Sequence, residues 1–290
     1  MRTGMKRGIA GPDQVAARKA WALLGLVLLL VALPKPSSAS QLSAEEVLNK
    51  VSEAYRGIRS CRFVAVETAE LAANVETAQA ASATESHPWS GTRYWGGQKS
   101  VETQVELVAS LPGKVRLTAK GPKLDLVLSS DGRTTWAYVP RQKQYSEASW
   151  VPSQPPDPSR PDEEAEAQIL SGYWTLLVDR FRTAWQFAPS AKLEKDSRIK
   201  VGRDKVDCYA IRAHDRDASY EMWVDKSRFV VLRFKRTPLP PMEGVRFQWS
   251  ITVNIVEASV NAGVEDASFK FAAPADAAKV QSLDTSKWQQ

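Results

Sequence analysis

Apolar and polar residues alternate along much of the chain, and this period of two predicts β-strands. The longest alternation covers residues 244–256 and leaves a polar residue between successive apolar ones. Its apolar positions are Val245, Phe247, Trp249, Ile251, Val253 and Ile255. Because successive side chains of a strand point to opposite faces of a sheet, we expect this strand to have one buried face and one wet face.

A β-hairpin is predicted around Asp131-Gly132, since glycine adopts the positive φ of a tight turn at no steric cost. Every second residue from 124 to 128 is leucine, which places the three leucines on one face of the first strand. On the return strand, Trp136 and Tyr138 share one face. Two strands alone are marginally stable, so this hairpin must belong to a larger sheet.

Shorter alternations predict the rest of that sheet. The expected strands cover residues 61–68, 101–109, 114–120, 144–149, 193–201, 205–214, 219–224 and 228–236, with a short edge segment over 269–274. With the hairpin and the strand over 244–256, the chain has about ten antiparallel strands in sequential order. A sheet of this size curls or closes on itself.

Two helices accompany the strands. Ser43 and Glu46 form the S-x-x-E pattern of a capping box, and apolar residues follow at three- and four-residue spacing. Residues 162–185 carry a second, broad apolar stripe. The predicted fold class is therefore mainly β with two or more helices (α+β). Its curled antiparallel sheet forms an unclosed β-barrel, and the helices cover its concave face.

Two segments interrupt this pattern. Residues 69–98 are rich in Ala, Thr and Ser and are interpreted as a loop insert or a ragged extended hairpin. Residues 151–161 contain five prolines, which lack the N–H that a strand ladder needs, so they form a linker or surface loop. A domain boundary at this linker is the alternative to a helix that crosses one continuous sheet. We favour the continuous sheet, and hence a single half-barrel domain over 40–290.

Residues 1–39 have the organisation of a secretory signal peptide. A basic start precedes the apolar run 21–33, and small residues end at Ala39, the expected cleavage site. An apolar run of this length is short for a membrane span, which needs about 20 residues. An uncleaved N-terminal anchor is the alternative. We expect the mature protein to be exported.

The formal net charge of +6 lies mostly in this leader, which holds six basic residues and one acidic residue. The remaining chain is nearly neutral, with 33 basic and 32 acidic residues. A nucleic-acid-binding domain carries a basic patch in its folded part. The composition therefore predicts no nucleic-acid partner.

Candidate catalytic chemistry is sparse, and we predict that the protein is not an enzyme. The chain has two histidines, His87 and His214, too few for a histidine-rich metal site, so we expect no metal and no cofactor. A Ser-His-Asp site around His214 is the weaker alternative to a solvated side chain. Glu163, Glu164 and Glu166 begin a predicted helix, where negative charge suits the helix dipole.

The chain has one cysteine pair, Cys61 and Cys208, both in expected strands. Export to an oxidising compartment favours a disulfide between them. The alternatives are two buried free thiols, or strands that lie too far apart to be bridged.

Aromatic and large apolar residues form the strongest remaining signal. They lie on faces interpreted as apolar, where they either fill a core or line a cleft for an apolar ligand. The candidate lipid-binding residues are Trp136, Tyr138, Trp174, Leu177, Phe181, Met222, Phe234, Phe247, Trp249 and Ile251.

Four stretches, in this order, resemble the LolA-type outer-membrane lipoprotein carrier and lipoprotein-sorting superfamily. They are AEEVLNKVSEAYRGIRSCRF, LVLSSDGRTTWAYVPRQKQY, YEMWVDKSRFVVLRFKR and ASFKFAAP, and together they span most of residues 43–274. The resemblance implies an unclosed β-barrel with helices in its concavity.

The resemblance also implies a periplasmic protein that holds acyl chains of lipoproteins or lipids in a hydrophobic cleft, with transient membrane contact at most. One departure concerns the family's early turn, where an Arg precedes a Pro and helps a lid to open and close. Here the pair reads Leu111-Pro112. The alternative function is therefore an envelope regulatory or interaction domain of the same fold, with an envelope protein as partner and no transported ligand.

Overall fold

The computed structural model describes residues 42–71, 100–122, 124–148, 152, 161–239 and 249–284. The chain divides into two units between Leu42 and Ser43, and the second unit is described below. The expected signal peptide over 1–39 lies outside the described residues, as do most of the expected insert over 69–98 and most of the linker over 151–161.

Helix α1 (Ala44–Arg56) begins at the predicted capping box. The backbone N–H of Glu46 donates to Ser43 Oγ at 3.2 Å, and the N–H of Ser43 donates to the Glu46 carboxylate at 2.7 Å. One face of the helix is buried, through Val47, Leu48, Val51, Ser52 and Tyr55. The capping box and the apolar face are both confirmed.

The second predicted helix, over 162–185, is divided into several pieces. Helix α2 (Pro161–Trp174) runs into a π-helical turn at Thr175–Asp179 and then into the short helix α3 (Arg180–Arg182). A 3-10 segment, Ala184–Ser190, completes the crossing. A π-helical turn inserts one extra residue per turn and so rotates the side chains that follow it.

The described residues contain thirteen strands in one sheet. They are β1 (Ser60–Leu71), β2 (Ser100–Ser110), β3 (Lys114–Lys120), β4 (Asp125–Asp131), β5 (Thr135–Val139), β6 (Gln144–Ala148), β7 (Lys192–Leu193), β8 (Ser197–Val201), β9 (Asp204–His214), β10 (Ala218–Asp225), β11 (Val231–Pro238), β12 (Trp249–Val260) and β13 (Ala278–Lys279). Strands β1 to β6 are neighbours in sequential order, β12 pairs with β1, and β11, β10, β9 and β7 follow β12. Strand β8 also pairs with β9.

Strand register defines one buried face that continues across the sheet. In one half the paired positions are Phe63, Leu107, Leu117, Leu128 and Ala137, each between 0 and 1% exposed. In the other half they are Glu67, Val253, Phe234, Met222 and Ile211. We call this face the concave face.

The helices cover the concave face. The Tyr55 ring of α1 lies 6.5 Å from that of Phe63, and the Phe181 ring of α3 lies 5.5 Å from that of Phe234. The two ends of the sheet path, β13 and β7, do not pair with each other. The expected unclosed, curled sheet with helices over its concave face is therefore confirmed.

The C-terminal segment covers part of the opposite, convex face. Phe269 is fully buried there, and Ser129 Oγ donates to its carbonyl oxygen at 2.9 Å. Lys114 pairs with Asp266 at 2.7 Å. The predicted edge strand over 269–274 is wrong, because these residues are irregular and the edge strand of this segment is β13, parallel to β6.

Several other strand bounds differ from the predictions. The single strand predicted over 193–201 is two strands, β7 and β8. Strand β1 continues to Leu71 because it pairs with both β2 and β12. Strand β12 continues to Val260, past an irregularity in its pairing with β1 at Val64 and Ala65 that leaves Val256 unpaired and 37% exposed.

Candidate ligand-binding cleft

A cavity of about 570 Å³ lies between the turn that joins β2 to β3 and helix α2. Its size is within the range of small-molecule pockets. Most of its walls are apolar. The lining residues are Ala109, Leu111, Pro112, Gly113, Lys114, Val115, Pro152, Ala167, Leu170, Ser171, Trp174, Asp179 and Arg182.

The β2–β3 turn forms one wall. The N–H of Leu111 donates to the carbonyl oxygen of Arg59 at 2.8 Å, which fixes the turn beside the start of β1. Gly113 has a φ of +86°, a conformation that favours glycine. The Leu111 side chain is 39% exposed, so the turn holds an apolar side chain at the mouth of the cavity.

Helix α2 forms the other wall. Ala167, Leu170, Ser171 and Trp174 are spaced by three or four residues and therefore lie on one side of the helix. The guanidinium of Arg182 lies 5.5 Å from the centre of the Trp174 ring. Because Arg182 also pairs with Asp179 at 3.0 Å, the cation at this apolar cavity is neutralised.

Another side of α2 contacts the concave face through polar groups. Ser146 Oγ donates to the Glu166 carboxylate at 3.1 Å. Tyr173, 2% exposed, hydrogen-bonds Glu67 of β1. Glu163 is also buried, whereas Glu164 is exposed. Glu166, predicted only to suit the helix dipole, thus lies against the sheet.

Glu67 is the buried carboxyl group of the concave face. It is 8% exposed, and its Oε2 atom has no hydrogen-bond partner. Burial raises the pKa of Glu67 to about 7, and the hydrogen bond from Tyr173 opposes part of that rise. Sequence reasoning missed this residue, although its period-two spacing from Phe63 and Ala65 places it on their buried face.

The candidate lipid-binding residues do not form one wall. Trp174 lines the cavity. Leu177, Phe181, Met222 and Phe234 are each no more than 3% exposed and pack where the helices meet the sheet. Phe181 lies 5.1 Å from the Tyr55 ring as well as 5.5 Å from Phe234, which is the packing of a core.

Three further candidates belong to β12 or precede it. Ile251 is half-buried and pairs with Ala69 and Arg236 on the neighbouring strands. The buried Val253 and Ile255 confirm the predicted alternation in this part of the strand. Phe247 and the side chain of Trp249 lie outside the described residues.

Trp136 and Tyr138 lie on the convex face, and their expected place beside the other candidates is wrong. In β5 the buried positions are Thr135, Ala137 and Val139, so the two aromatic side chains point the opposite way. They contact Phe271 of the C-terminal segment, with ring centres 6.3 and 6.1 Å apart. The sequence correctly places both on one face but does not reveal which face is concave.

The predicted disulfide is absent, because Cys61 and Cys208 are both buried free thiols. Three strands separate β1 from β9 in the sheet. Register also places Cys61 on the concave face, with Phe63, and Cys208 on the convex face, opposite to Ile211. Both the separation and the orientation prevent a bond between the two sulfur atoms.

Most of the residues that form the cavity were missed by sequence reasoning. Leu111, Val115, Ala167 and Leu170 lie far apart in the chain and meet only in the fold. One signal was present, since Leu111-Pro112-Gly113 places a large apolar residue in a turn, where polar residues are usual.

No family model matches the chain, and no curated protein matches it. Solved structures do match. MucB is 16% identical, with 82% of this chain and 65% of that chain covered, at a TM-score of 0.36. The MucA/MucB complex from Pseudomonas aeruginosa gives 14% identity, coverage of 79% and 61%, and a TM-score of 0.34. A LolA superfamily protein from Nitrosomonas europaea is 10% identical, with 80% of this chain and 99% of that chain covered, at a TM-score of 0.28.

The chain thus spans about three fifths of the length of the MucB structures it matches. Since the identities are below 25% and the TM-scores below 0.5, these matches carry no information on function. Among the described residues, no helix is long and apolar enough to cross a membrane, and no group of side chains could hold a metal ion. The sheet and its helices themselves show the unclosed, curled barrel with helices over its concave face that the sequence predicts.

Proposed function

We propose that this protein is a binding protein of the cell envelope that holds acyl chains of lipoproteins or lipids. The observation that carries this proposal is the cavity between the β2–β3 turn and α2, with Leu111 exposed at its mouth. An open apolar cavity beside an exposed apolar side chain suits a ligand that is itself a hydrocarbon chain.

The expected affinity follows from the area that such a chain buries. Each buried methylene contributes about 0.8 kcal/mol, so most of a chain of about 14 carbons contributes about 10 kcal/mol. Association costs at least about 4 kcal/mol in lost translational and rotational freedom. The balance of about 6 kcal/mol corresponds to a dissociation constant of some tens of micromolar, which suits a protein that must also release its ligand.

The remaining parts of the proposal rest on the sequence. The pattern of residues 1–39 supports export to the periplasm, with cleavage near Ala39. The partner would be an acylated lipoprotein or lipid, and membrane contact would be transient. No catalytic role is proposed.

The second candidate function is an envelope interaction domain that carries no ligand. One observation favours it, namely that Leu177, Phe181, Met222 and Phe234 are packed as a core and leave no free wall among themselves. In this case the partner would be an envelope protein.

Binding of a fluorescent fatty acid to the purified protein tests the first proposal. We expect saturable binding, close to one probe per chain, that unlabelled lipid displaces. Ala167→Phe should fill the cavity from the α2 side and weaken binding at least tenfold. The matched control is Gln168→Phe, which adds the same ring at the next, exposed position of the helix and should leave binding unchanged.

Two results would contradict the proposal. One is that no acyl probe binds the wild-type protein, and the other is that Ala167→Phe and Gln168→Phe bind the probe equally well. A stable, lipid-free complex with an envelope protein would then support the interaction domain. Thermal unfolding of each variant shows that it is folded.

A further inference from the structure

Three polar side chains meet on the concave face beyond the π-helical turn. Tyr220 of β10 and Arg236 of β11 are cross-strand partners. The guanidinium of Arg180, from α3, lies 5.7 Å from the centre of the Tyr220 ring and 5.3 Å from that of Phe234. Arg180 lies between Asp179 and Arg182 in the chain, and Asp179 and Arg182 both line the cavity.

The hydroxyl group of Tyr220 uses all of its hydrogen-bonding capacity. It donates to the carboxylate of Asp215 and accepts from Arg180 and Arg236. A phenol has one proton to donate and two lone pairs. It therefore has no acceptor left for the Nε–H of Arg180, which is buried and has no partner.

Among the described side chains of this cluster, positive charge exceeds negative charge. Two guanidinium groups meet one carboxylate, that of Asp215, which also accepts the backbone N–H groups of Asp217 and Ala218 at 2.8 Å. Burial lowers the pKa of the Arg180 guanidinium, and the nearby charge of Arg236 lowers it further. Arg180 and Arg236 are both half-buried, and a partly desolvated charge without full compensation is stabilised when an opposite charge joins it.

We propose that Arg180 and Arg236 form an anion-binding subsite for the carboxylate or phosphate group of an amphiphilic ligand. The guanidinium fork matches both oxygen anions, and charge-assisted hydrogen bonds are about twice as strong as neutral ones. The apolar cavity lined by Asp179 and Arg182, which are close to Arg180 in the chain, would take the hydrocarbon part of such a ligand. This inference rests on the proposed function and specifies the charge of the ligand.

The test compares three probes with the same chain of 12 carbons, namely dodecanoate, dodecyl phosphate and dodecanol. Each displaces the fluorescent fatty acid from the wild-type protein near neutral pH. We expect at least one anionic probe to bind about tenfold or more tightly than the alcohol, as one or two charge-assisted hydrogen bonds would give. Which anion binds more tightly distinguishes a fatty acid from a phosphate-bearing lipid.

Arg180→Gln and Arg236→Gln should each reduce this preference to within about twofold, with the affinity for dodecanol unchanged. The control is Arg116→Gln, which removes the same charge from the convex face, where Arg116 pairs with Val108 and Ser129, and should leave the preference intact. Thermal unfolding shows whether each variant is folded. The two substitutions are on different elements, so one remains informative if the other does not fold.

The outcomes separate the two proposals. Equal binding of the alcohol and both anions by the wild-type protein overturns the subsite and leaves the proposed function in place. A preference that persists in both glutamine variants also overturns the subsite. If inorganic phosphate alone stabilises the wild-type protein and no acyl probe binds, the proposed function fails and the cluster is a site for a free anion.

Discussion

The concave and convex faces of the sheet each carry an aromatic cluster, and the two clusters differ in what covers them. On the concave face, Tyr55 and Phe181 come from the helices and pack on Phe63 and Phe234 of the sheet, and each is no more than 3% exposed. The convex cluster consists of Trp136, Tyr138, Tyr145 and Phe271, all half-buried. Helices cover the first, and an irregular C-terminal segment covers the second.

The difference shows that large side chains do not always identify the main core. In β5 the small residues Thr135 and Ala137 face the helices, while the large Trp136 and Tyr138 face the thinner cover. Small side chains leave space for α2, whose Glu166 reaches Ser146 on the neighbouring strand. The concave face therefore has one part that is packed with aromatic side chains and another part, with small side chains on β5, that is covered by α2.

The largest expected effect is on the concave cluster. Phe234→Ala removes a side chain that is 2% exposed and contacts both Phe181 and Tyr220. We expect the free energy of unfolding to fall by about 3–5 kcal/mol, as buried Phe-to-Ala substitutions usually cost. Urea unfolding of the variant and the wild type measures it. A loss below about 1 kcal/mol would show that this region is not the core.

The next effect concerns Glu67, where the concave face holds a carboxyl group. Burial raises its pKa from 4.5 to about 7, so the folded protein favours the protonated carboxyl group. The contribution of Glu67 to the free energy of unfolding is therefore fully present below about pH 4.5 and is lost as the pH rises through 7. Above about pH 8 the loss approaches about 3 kcal/mol. Glu67→Gln, which cannot ionise, should therefore become more stable relative to wild type as the pH increases.

Unfolding free energies measured from pH 5 to pH 8.5 test this sign. The control is Glu102→Gln on β2, which makes the same substitution at an exposed residue on the other face of the sheet and leaves Glu67 in place. If the difference between Glu67→Gln and wild type did not change with pH, Glu67 would be hydrated in the folded protein.

Local patterns in the sequence predicted most of the elements. The capping box of α1 depends on Ser43 and Glu46 alone, and β3 has the predicted bounds because turns with glycine flank it on both sides. The alternation of Val253 and Ile255 also survives. These features depend on neighbours in the chain, so a sequence pattern is sufficient to find them.

Features that depend on distant contacts were not predicted. The π-helical turn changes the hydrogen-bond spacing after Trp174, and the apolar stripe of residues 162–185 does not reveal that change. The cavity exists because the β2–β3 turn, which holds Leu111, lies near α2, and α2 follows much later in the chain. The face of Trp136 depends on the C-terminal segment, whose irregular path covers the convex face.

A smaller effect is expected on the convex cluster. Phe271→Ala removes a half-buried ring that lies 5.5 Å from Tyr145 and near Trp136 and Tyr138. We expect a loss of about 1–2 kcal/mol of unfolding free energy, since each aromatic contact contributes about 0.5–1.5 kcal/mol. Binding of the fluorescent fatty acid should not change. Loss of probe binding would instead place the ligand at the convex face.

The smallest expected effect, close to zero, is that of a reductant on stability. Cys61 lies on the concave face and Cys208 on the convex face, so no disulfide joins them. A bridge closing so long a loop would contribute roughly 3–5 kcal/mol, and adding reductant would then lower the melting temperature by several degrees.

Burial raises the pKa of the two thiols to about 12 for Cys61 and about 11 for Cys208, so both should resist alkylation in the folded protein. After unfolding without reductant, the intact mass should show two alkylated thiols per chain. A mass with none, and two only after reduction, would mean that the two faces are linked.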